Sequence, residues 1–409
     1  MPLLSIVIPT RRRAHLLETA LKSALAPSGF DDFEIVVSDN SVDACAEATT
    51  KRFEDPRVRY FNTGVDLDVY ASWNAAMGHA SGKYTFLFAD DDAFFSDGLA
   101  RIHAALVRYE MPEFLGLCAG WYSRPGFKRG PHNALKFEEG WTREGREAPD
   151  KLLREYFGFG RPSFSATYVM IDEAVRDRIR ARGLPIFLPV FPDYALQGVA
   201  LALAKSAAVM SEPTLIHGYA VESLGEAYCY PRKTLEWPAP AGEDKVFRHS
   251  PLGGYTFTNG RLETMLRVQE ALPETAHLDI DGLSFLGLYG RELIIESTWR
   301  DVTADAEQYV RYVRTLVEPM RTQVMTALKD PLLQLCAMVE AKVWERIHVG
   351  PDEWMRGEEH AFDDIVSAAA KARELYAAKL ERSQVLKDVL DRAAGGRGAA
   401  PAGGKGRAA

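Results

Sequence analysis

Three consecutive aspartates, Asp90, Asp91 and Asp92, sit inside the otherwise apolar stretch F86-L-F-A-D-D-D-A-F-F95. Adjacent carboxylates repel one another, and burying even one without a partner is costly. Side-chain oxygens grouped at the end of a buried strand suit a hard divalent cation, Mg2+ or Mn2+, that also holds a diphosphate. The plainer alternative for a charge run is a solvated surface loop.

The elements that must position this run alternate over the first 120 or so residues. Apolar β-branched runs at 5–9, 33–39, 58–62, 83–89 and 113–122 read as buried strands. Between them, 13–25, 41–53, 68–80 and 96–109 read as helices, with Ser41 and Ser96 as expected caps. This alternation predicts a mostly parallel sheet covered on both faces. Ligands of such sheets bind beyond the carboxyl ends of the strands. Asp39 and Asp90–Asp92 both follow such ends, so both should face one crevice. Residues 123–162 are irregular, with a short helix near 149–157. A strand at 163–171, a helix at 172–183, a proline-rich turn entering a helix through Asp193, and extended structure at 207–221 follow. After about residue 255 only helices are expected: 259–272, 282–297, 303–328, 331–347 and 358–393. We read 1–255 as an α/β domain, 256–393 as an all-α domain or extension, and 394–409 as a disordered basic tail rich in Gly and Ala.

The bulk composition sets boundaries. At 47% hydrophobic and 26% charged residues, the chain is neither wholly disordered nor collagen-like. A formal charge of −8 argues against nucleic acid as a partner. The four cysteines are scattered, which fits neither a disulfide framework nor a zinc site and suits a reducing cytosol. No stretch has the length of a membrane span, so the expected location is cytoplasmic, with contact at the inner face of the membrane left open.

Three chemistries use a metal–diphosphate site of this kind. A phosphatase of the haloacid dehalogenase type would carry a Thr where Phe94 stands, on the first strand of its fold. Nucleotidyl transfer would want a glycine-rich loop after the first strand, where this chain has P9-T-R-R-R13. Glycosyl transfer from a nucleotide-sugar matches at several points. L4-S-I-V-I-P-T-R-R-R13, V36-V-S-D-N-S-V-D43, N62-T-G through W73-N74 to S81-G-K-Y84, and F86-L-F-A-D-D-D92 with S96-D-G-L99 together resemble the inverting family-two glycosyltransferases of the GT-A fold. The resemblance covers roughly residues 3–122, weakens to about 225, and is absent from the helical remainder.

The resemblance implies a Rossmann-like GT-A domain, a Mn2+ or Mg2+ cofactor, and transfer with inversion from a nucleotide-diphosphate sugar, UDP-type favoured. The acceptor would be a glycan, a lipid-linked sugar or a protein, in surface polysaccharide or glycoprotein synthesis. A non-catalytic sugar-nucleotide-binding protein of the same fold, or a metal-dependent phosphotransferase, is the alternative. Asp91 is the expected metal ligand, and Ala89 stands where the family places its first motif acid. Asp92 and His217 are the further metal candidates; a satisfied core residue is the bland reading for His217. Asp39 is expected to read the base edge, or to cap its strand. Pro9, Thr10, Arg11, Arg13, Asn74 and Asp90 are candidates for nucleotide-sugar binding; Asn74 is equally a structural hydrogen-bonder, and the arginines a solvated helix start. Asp193 is the candidate general base, because inverting transfer needs a group that takes the acceptor proton. A helix N-cap, stabilising by about 1 kcal/mol, is its rival role. Glu222 and Ser223 are candidate acceptor contacts, and Trp73, Trp121 and Tyr122 stacking surfaces or core. An apolar stripe over 358–393, from Ile365 to Leu390, is expected to pack on the enzyme itself, on a second subunit or on a membrane surface, with self-association preferred.

Overall fold

The computed structural model describes residues 1–124, 133–137, 143–160, 166–220, 247–253, 256–296, 302–326, 355–356, 362 and 364–376. In chain order its first elements are β1 (Leu4–Thr10), α1 (Ala14–Leu25), β2 (Phe33–Asp39), α2 (Glu47–Lys51), β3 (Val58–Asn62), α3 (Val69–Gly78) and β4 (Tyr84–Leu87). Then come β5 (Ala93–Phe94), α4 (Gly98–Arg108), β6 (Phe114–Ser123), β7 (Ala134–Phe137), β8 (Gly145–Glu147), α5 (Pro149–Phe157), β9 (Val169–Asp172), α6 (Glu173–Ala181), α7 (Pro192–Leu203) and β10 (Ala207–Tyr219).

Every residue of β1, β2 and β4 is buried, as continuous apolar runs require when helices cover both faces of a sheet. The spatial order β3-β2-β1-β4 is parallel throughout. Beyond β4 the sheet turns antiparallel through β9 and β6, and β10 lies parallel to β6. The parallel half is the part read from the first 90 residues; the sheet as a whole is mixed. Glu34 ties this half together from within: it accepts from the Ser5 hydroxyl, from the Ser81 backbone N–H and hydroxyl, and from Arg59.

Several boundaries differ from expectation. The segment after β2 is not one helix from Ser41, because Asp39 accepts from the N–H groups of both Ser41 and Ala46 and draws the chain into successive turns. Ser41 instead accepts from the Arg12 N–H. Ser96 does not cap α4; Asp97 occupies that position, with no side-chain capping bond. The helix expected over 303–328 is broken at Pro319, which separates Thr303–Thr315 from a helical turn at 320–326. Strands β7 and β8 fall within the stretch read as irregular.

Helices Phe257–Ala271, Gly282–Glu296 and Thr303–Thr315 share one continuous hydrophobic core with the sheet. Gly260 is packed so tightly that a β-carbon there would stand 2.2 Å from the ring of Phe191, at the entrance to α7. Where it is described, the C-terminal stripe packs on the chain itself. Ile365, Ala369 and Leu375, on a helical stretch at 365–376, are buried against the chain's own β5, β6, β7 and β10. Small Ala side chains along that face let it approach a sheet edge that already offers Phe95, Tyr122 and Phe137. The remaining stripe, the expected helix 331–347, Glu222 and Ser223, and the tail lie outside the described residues. No helix among the described residues is long and apolar enough to cross a membrane.

Candidate active site

The strand before the aspartates ends at Leu87, and Phe88 continues it with one bond from its N–H to the Val7 carbonyl at 2.8 Å. A turn follows, closed by the Asp92 N–H on the Ala89 carbonyl. Phe88 and Phe94 then stack at 4.3 Å between ring centres, which pins both ends of the acid loop to the core. Ala93 and Phe94 form β5 against Leu215 and Ile216 of β10, and this pairing brings His217 and Gly218 beside the loop.

Each acid has a different partner. Asp90 is enclosed; it accepts from the Thr10 hydroxyl at 2.6 Å and pairs with Arg13 at 2.6 Å. Burial pushes the Asp90 carboxyl up to about 6, against the opposing pull of Arg13. Asp91 lies 3.8 Å from the same guanidinium, and its backbone carbonyl accepts from Arg124. Asp92 is also enclosed: Oδ1 accepts from the Gly218 N–H at 3.0 Å and lies 2.8 Å from Nδ1 of His217. That ion pair is close, although the ring N–H is not aligned on the oxygen as a hydrogen bond. Burial disfavours a charged His217 ring, but the carboxylates around it, Asp92 foremost with Asp91 and Asp193, together outweigh it, and the pKa of His217 is raised.

His217 retains some exposure, with Trp121, Tyr168 and Tyr219 set around its ring at 5.2, 5.6 and 5.3 Å between centres. Asp193 lies in the first turn of α7, half-buried, and its charge is felt at both His217 and Tyr156. The capping position belongs to Phe191, so Asp193 is not the helix N-cap.

The remaining candidates are held by the chain itself. Asp39 accepts from Ser41, Ala46 and the Tyr60 hydroxyl and has no exposure, so its contacts are those of a strand-end cap. Asn74 donates to the Tyr70 and Phe187 carbonyls and accepts from the Phe187 N–H, which fastens α3 to the loop before α7. Arg11 forks onto Asp66 with bonds of 2.7 and 2.6 Å. Pro9 is buried in β1, in register with Ser38. Trp73 packs edge-on against Phe187, and Tyr122 is buried. Asp66, Arg124, Tyr168, Tyr219 and Gly218 went unread in the sequence. Gly218 alone carried a signal there, as a glycine directly after the candidate ligand His217.

Among the described residues no three His, Cys, Asp or Glu side chains form a ready cation cage. Mg2+-like sites commonly use one or two protein ligands plus substrate phosphate oxygens and water. Asp91 and His217 fit that reduced requirement, and Oδ2 of Asp92 is a buried oxygen with no hydrogen-bond partner beside them.

Residues 5–174, which carry β1 through the acid loop to β9, match the family model described as glycosyl transferase family 2. That stretch of the chain belongs to that family. Its fold is of the GT-A type, α/β with helices on both faces of the sheet. A β-1,3-glucosyltransferase of Campylobacter jejuni, named for the substrate GalNAc(5)-diNAcBac-PP-undecaprenol, is 34% identical over 105 residues, 25% of this chain and 34% of that protein. Uncharacterized protein y4gI of Sinorhizobium fredii is 34% identical over 93 residues, 22% of this chain and 10% of its own. The chain thus spans about a third and a tenth of the lengths of these curated relatives. Among solved structures, S. aureus TarS 1–349 in complex with UDP-GlcNAc aligns with a TM-score of 0.44 at 14% identity, covering 91% of each chain. The mannosyltransferase PcManGT of Pyrobaculum calidifontis, in complex with GDP-Man and Mn2+, aligns with a TM-score of 0.37 at 15% identity, covering 82% of this chain and 86% of that one.

Proposed function

We propose that this protein is a metal-dependent inverting glycosyltransferase that moves a sugar from a nucleotide-diphosphate donor to a hydroxyl acceptor. The observation that carries the reading is the convergence, at an acid loop within the stretch that matches family 2, of Arg13, beside Asp90 and Asp91, and His217, beside Asp92. Asp91 and His217 would hold a divalent cation that offsets the charge of the leaving diphosphate. Asp92 holds Nδ1 of His217 close through Oδ1, which leaves Nε2 to act as a ligand, and Oδ2 of Asp92 is the further candidate oxygen. Asp90 holds Arg13, whose guanidinium faces the developing diphosphate charge. Asp193 takes the proton of the acceptor hydroxyl as its oxygen attacks the anomeric carbon. One C–O bond forms, the bond to the diphosphate breaks from the opposite face, and the configuration inverts.

The donor class we favour is a UDP-sugar, and the acceptor a glycan, a lipid-linked saccharide or a protein. A lipid-linked acceptor is supported by the name of the Campylobacter relative. The test is a donor screen with UDP-, GDP- and dTDP-sugars and Mn2+, read first as thermal stabilisation and then as sugar release or transfer. A stabilising donor that is also turned over supports the reading. Stabilisation without any release or transfer would leave a binding protein of the same fold, and a trapped aspartyl-phosphate would point to phosphotransfer instead.

A further inference from the structure

The family match ends at residue 174, yet the chain returns to the acid loop nearly two hundred residues later. Met355 and Arg356 pair antiparallel with Leu135 and Ala134 of β7. Asn133 donates to the Phe362 carbonyl at 3.1 Å and accepts from the Tyr122 hydroxyl at 2.7 Å. The helical stretch 365–376 then buries Ile365, Ala368, Ala369, Ala372 and Leu375 in a cluster with Ala93, Phe95 and Ile216.

That cluster is separate from the main core, and its location matters. Ala93 directly follows Asp92, and Ile216 directly precedes His217. Ile365 lies beside Gly218. A β-carbon on Gly218 would stand 3.1 Å from Cδ1 of Ile365 and 1.9 Å from the carbonyl oxygen of Asp91. Gly218 therefore turns the same face to the Asp91 backbone and to Ile365. Its N–H is the donor to Asp92. A shift of β10 at this point would move the partner of Asp92, the ring of His217 and the support of Asp91 together. Close packing transmits such shifts because the interior has little free volume.

We propose that Ile365, carried by the helical stretch 365–376, is a positioning residue for the acid loop, so that the site is completed by the C-terminal part of the chain. The reading that the loop binds a metal–nucleotide complex rests on the proposed function; the positioning itself does not. Ion pairs from Arg373 to Asp97 and Glu212, each at 3.4 Å, are exposed and contribute little. The effect is therefore assigned to apolar packing.

The test uses the full chain in three variants: Ile365→Ala, Ile365→Val and Leu375→Ala. Leu375 belongs to the same cluster but lies ten residues further along the helix, roughly 15 Å away. Hydrogen exchange is followed at peptides spanning 86–95 and 214–219, with β1 and β2 as the internal reference. Ile365→Ala should speed exchange in both site peptides about tenfold while β1 and β2 stay protected, because a truncated core side chain loosens its local unit first. Ile365→Val should restore protection, and Leu375→Ala should leave the site peptides near wild type. Equal loosening by Ile365→Ala and Leu375→Ala would overturn the proposal in favour of general stabilisation by the helix, and so would no loosening in either. Calorimetric titration with Mn2+ and UDP gives the second readout, where Ile365→Ala should weaken binding. If the wild-type chain itself binds no Mn2+ and UDP, the proposed function fails while the exchange result still decides the positioning role.

Discussion

Gly218 lies so close to Asp91 that a β-carbon on it would stand 1.9 Å from the Asp91 carbonyl oxygen. The requirement is steric, since Gly218 is not among the residues with positive φ. The two backbones meet because β5 pairs with β10 immediately after the acid loop. Gly218→Ala must therefore move either the loop or β10. We expect a stability loss of about 1–3 kcal/mol from overpacking. Donor binding should fall far more than this loss explains, because Asp91 and His217 would be displaced together. Chemical denaturation and UDP-sugar titration on the same sample check both parts. A variant that loses stability but binds donor normally would show that the contact is only structural.

Asp92 has no exposure and spends Oδ1 on Gly218 and His217. Asp92→Asn keeps the shape but removes the charge that favours the present orientation and proton position of the ring. Outer partners of metal-binding histidines typically contribute 10- to 100-fold in metal affinity, and we expect a loss of roughly that size for Mn2+ in the presence of UDP. Asp91→Ala should abolish the binding altogether. Equal effects of the two variants would mean that Asp92 is itself a ligand.

The half of the fold that was legible in the sequence is the half governed by local rules. β1, β2 and β4 are buried on both faces, so each reads as an unbroken apolar run. The acid loop was equally readable, because three carboxylates beside four phenylalanines demand an explanation. What could not be read depends on pairing between distant segments. Arg13 with Asp90, Asp92 with His217, and Ile365 beside Gly218 join residues far apart in sequence, and none of them leaves a local pattern. Asp39 illustrates the same limit. Its position after β2 was clear, but only the fold shows that Ser41, Ala46 and Tyr60 use its carboxylate.

Asp193 opens α7 on a loop braced by the helix Phe257–Ala271, where Thr264 accepts from the Phe191 N–H at 3.3 Å. Because Asp193 is not the helix cap, its removal should not unwind α7. Asp193→Asn is expected to leave donor binding and melting temperature near wild type while lowering kcat by roughly a hundred- to ten-thousand-fold. Gly260→Ala is the indirect counterpart. A β-carbon there would collide with the Phe191 ring at 2.2 Å and push the start of α7. Its kcat should fall with little change in donor affinity. Wild-type turnover in Asp193→Asn would remove Asp193 from the mechanism.

Two buried carboxylates away from the acid loop contribute to the pH dependence of stability. Burial alone would raise the pKa of Glu34, but bonds from Ser5, Arg59 and Ser81 reverse this and hold it below the usual value. Glu263 is alike: burial is outweighed by the N–H groups of Ser250, His249 and Arg248 and by Arg267. A depressed carboxylate pKa means that the unfolded chain binds more protons near pH 4, so stability rises with pH there. The contribution is complete above the unfolded value of about 4.3 and is lost as pH falls through the folded value. The melting temperature should therefore be insensitive to these groups from pH 7 down to about 5 and drop below that. Glu34→Gln should cost about 1–3 kcal/mol at pH 7, because the buried donors of Ser5 and Ser81 lose a charged acceptor. The same variant should flatten the acid limb of the curve, since the group that titrates there is gone. Melting curves of wild type, Glu34→Gln and Glu263→Gln between pH 3 and 7 test the sign: a variant whose deficit grows as the pH falls would contradict it.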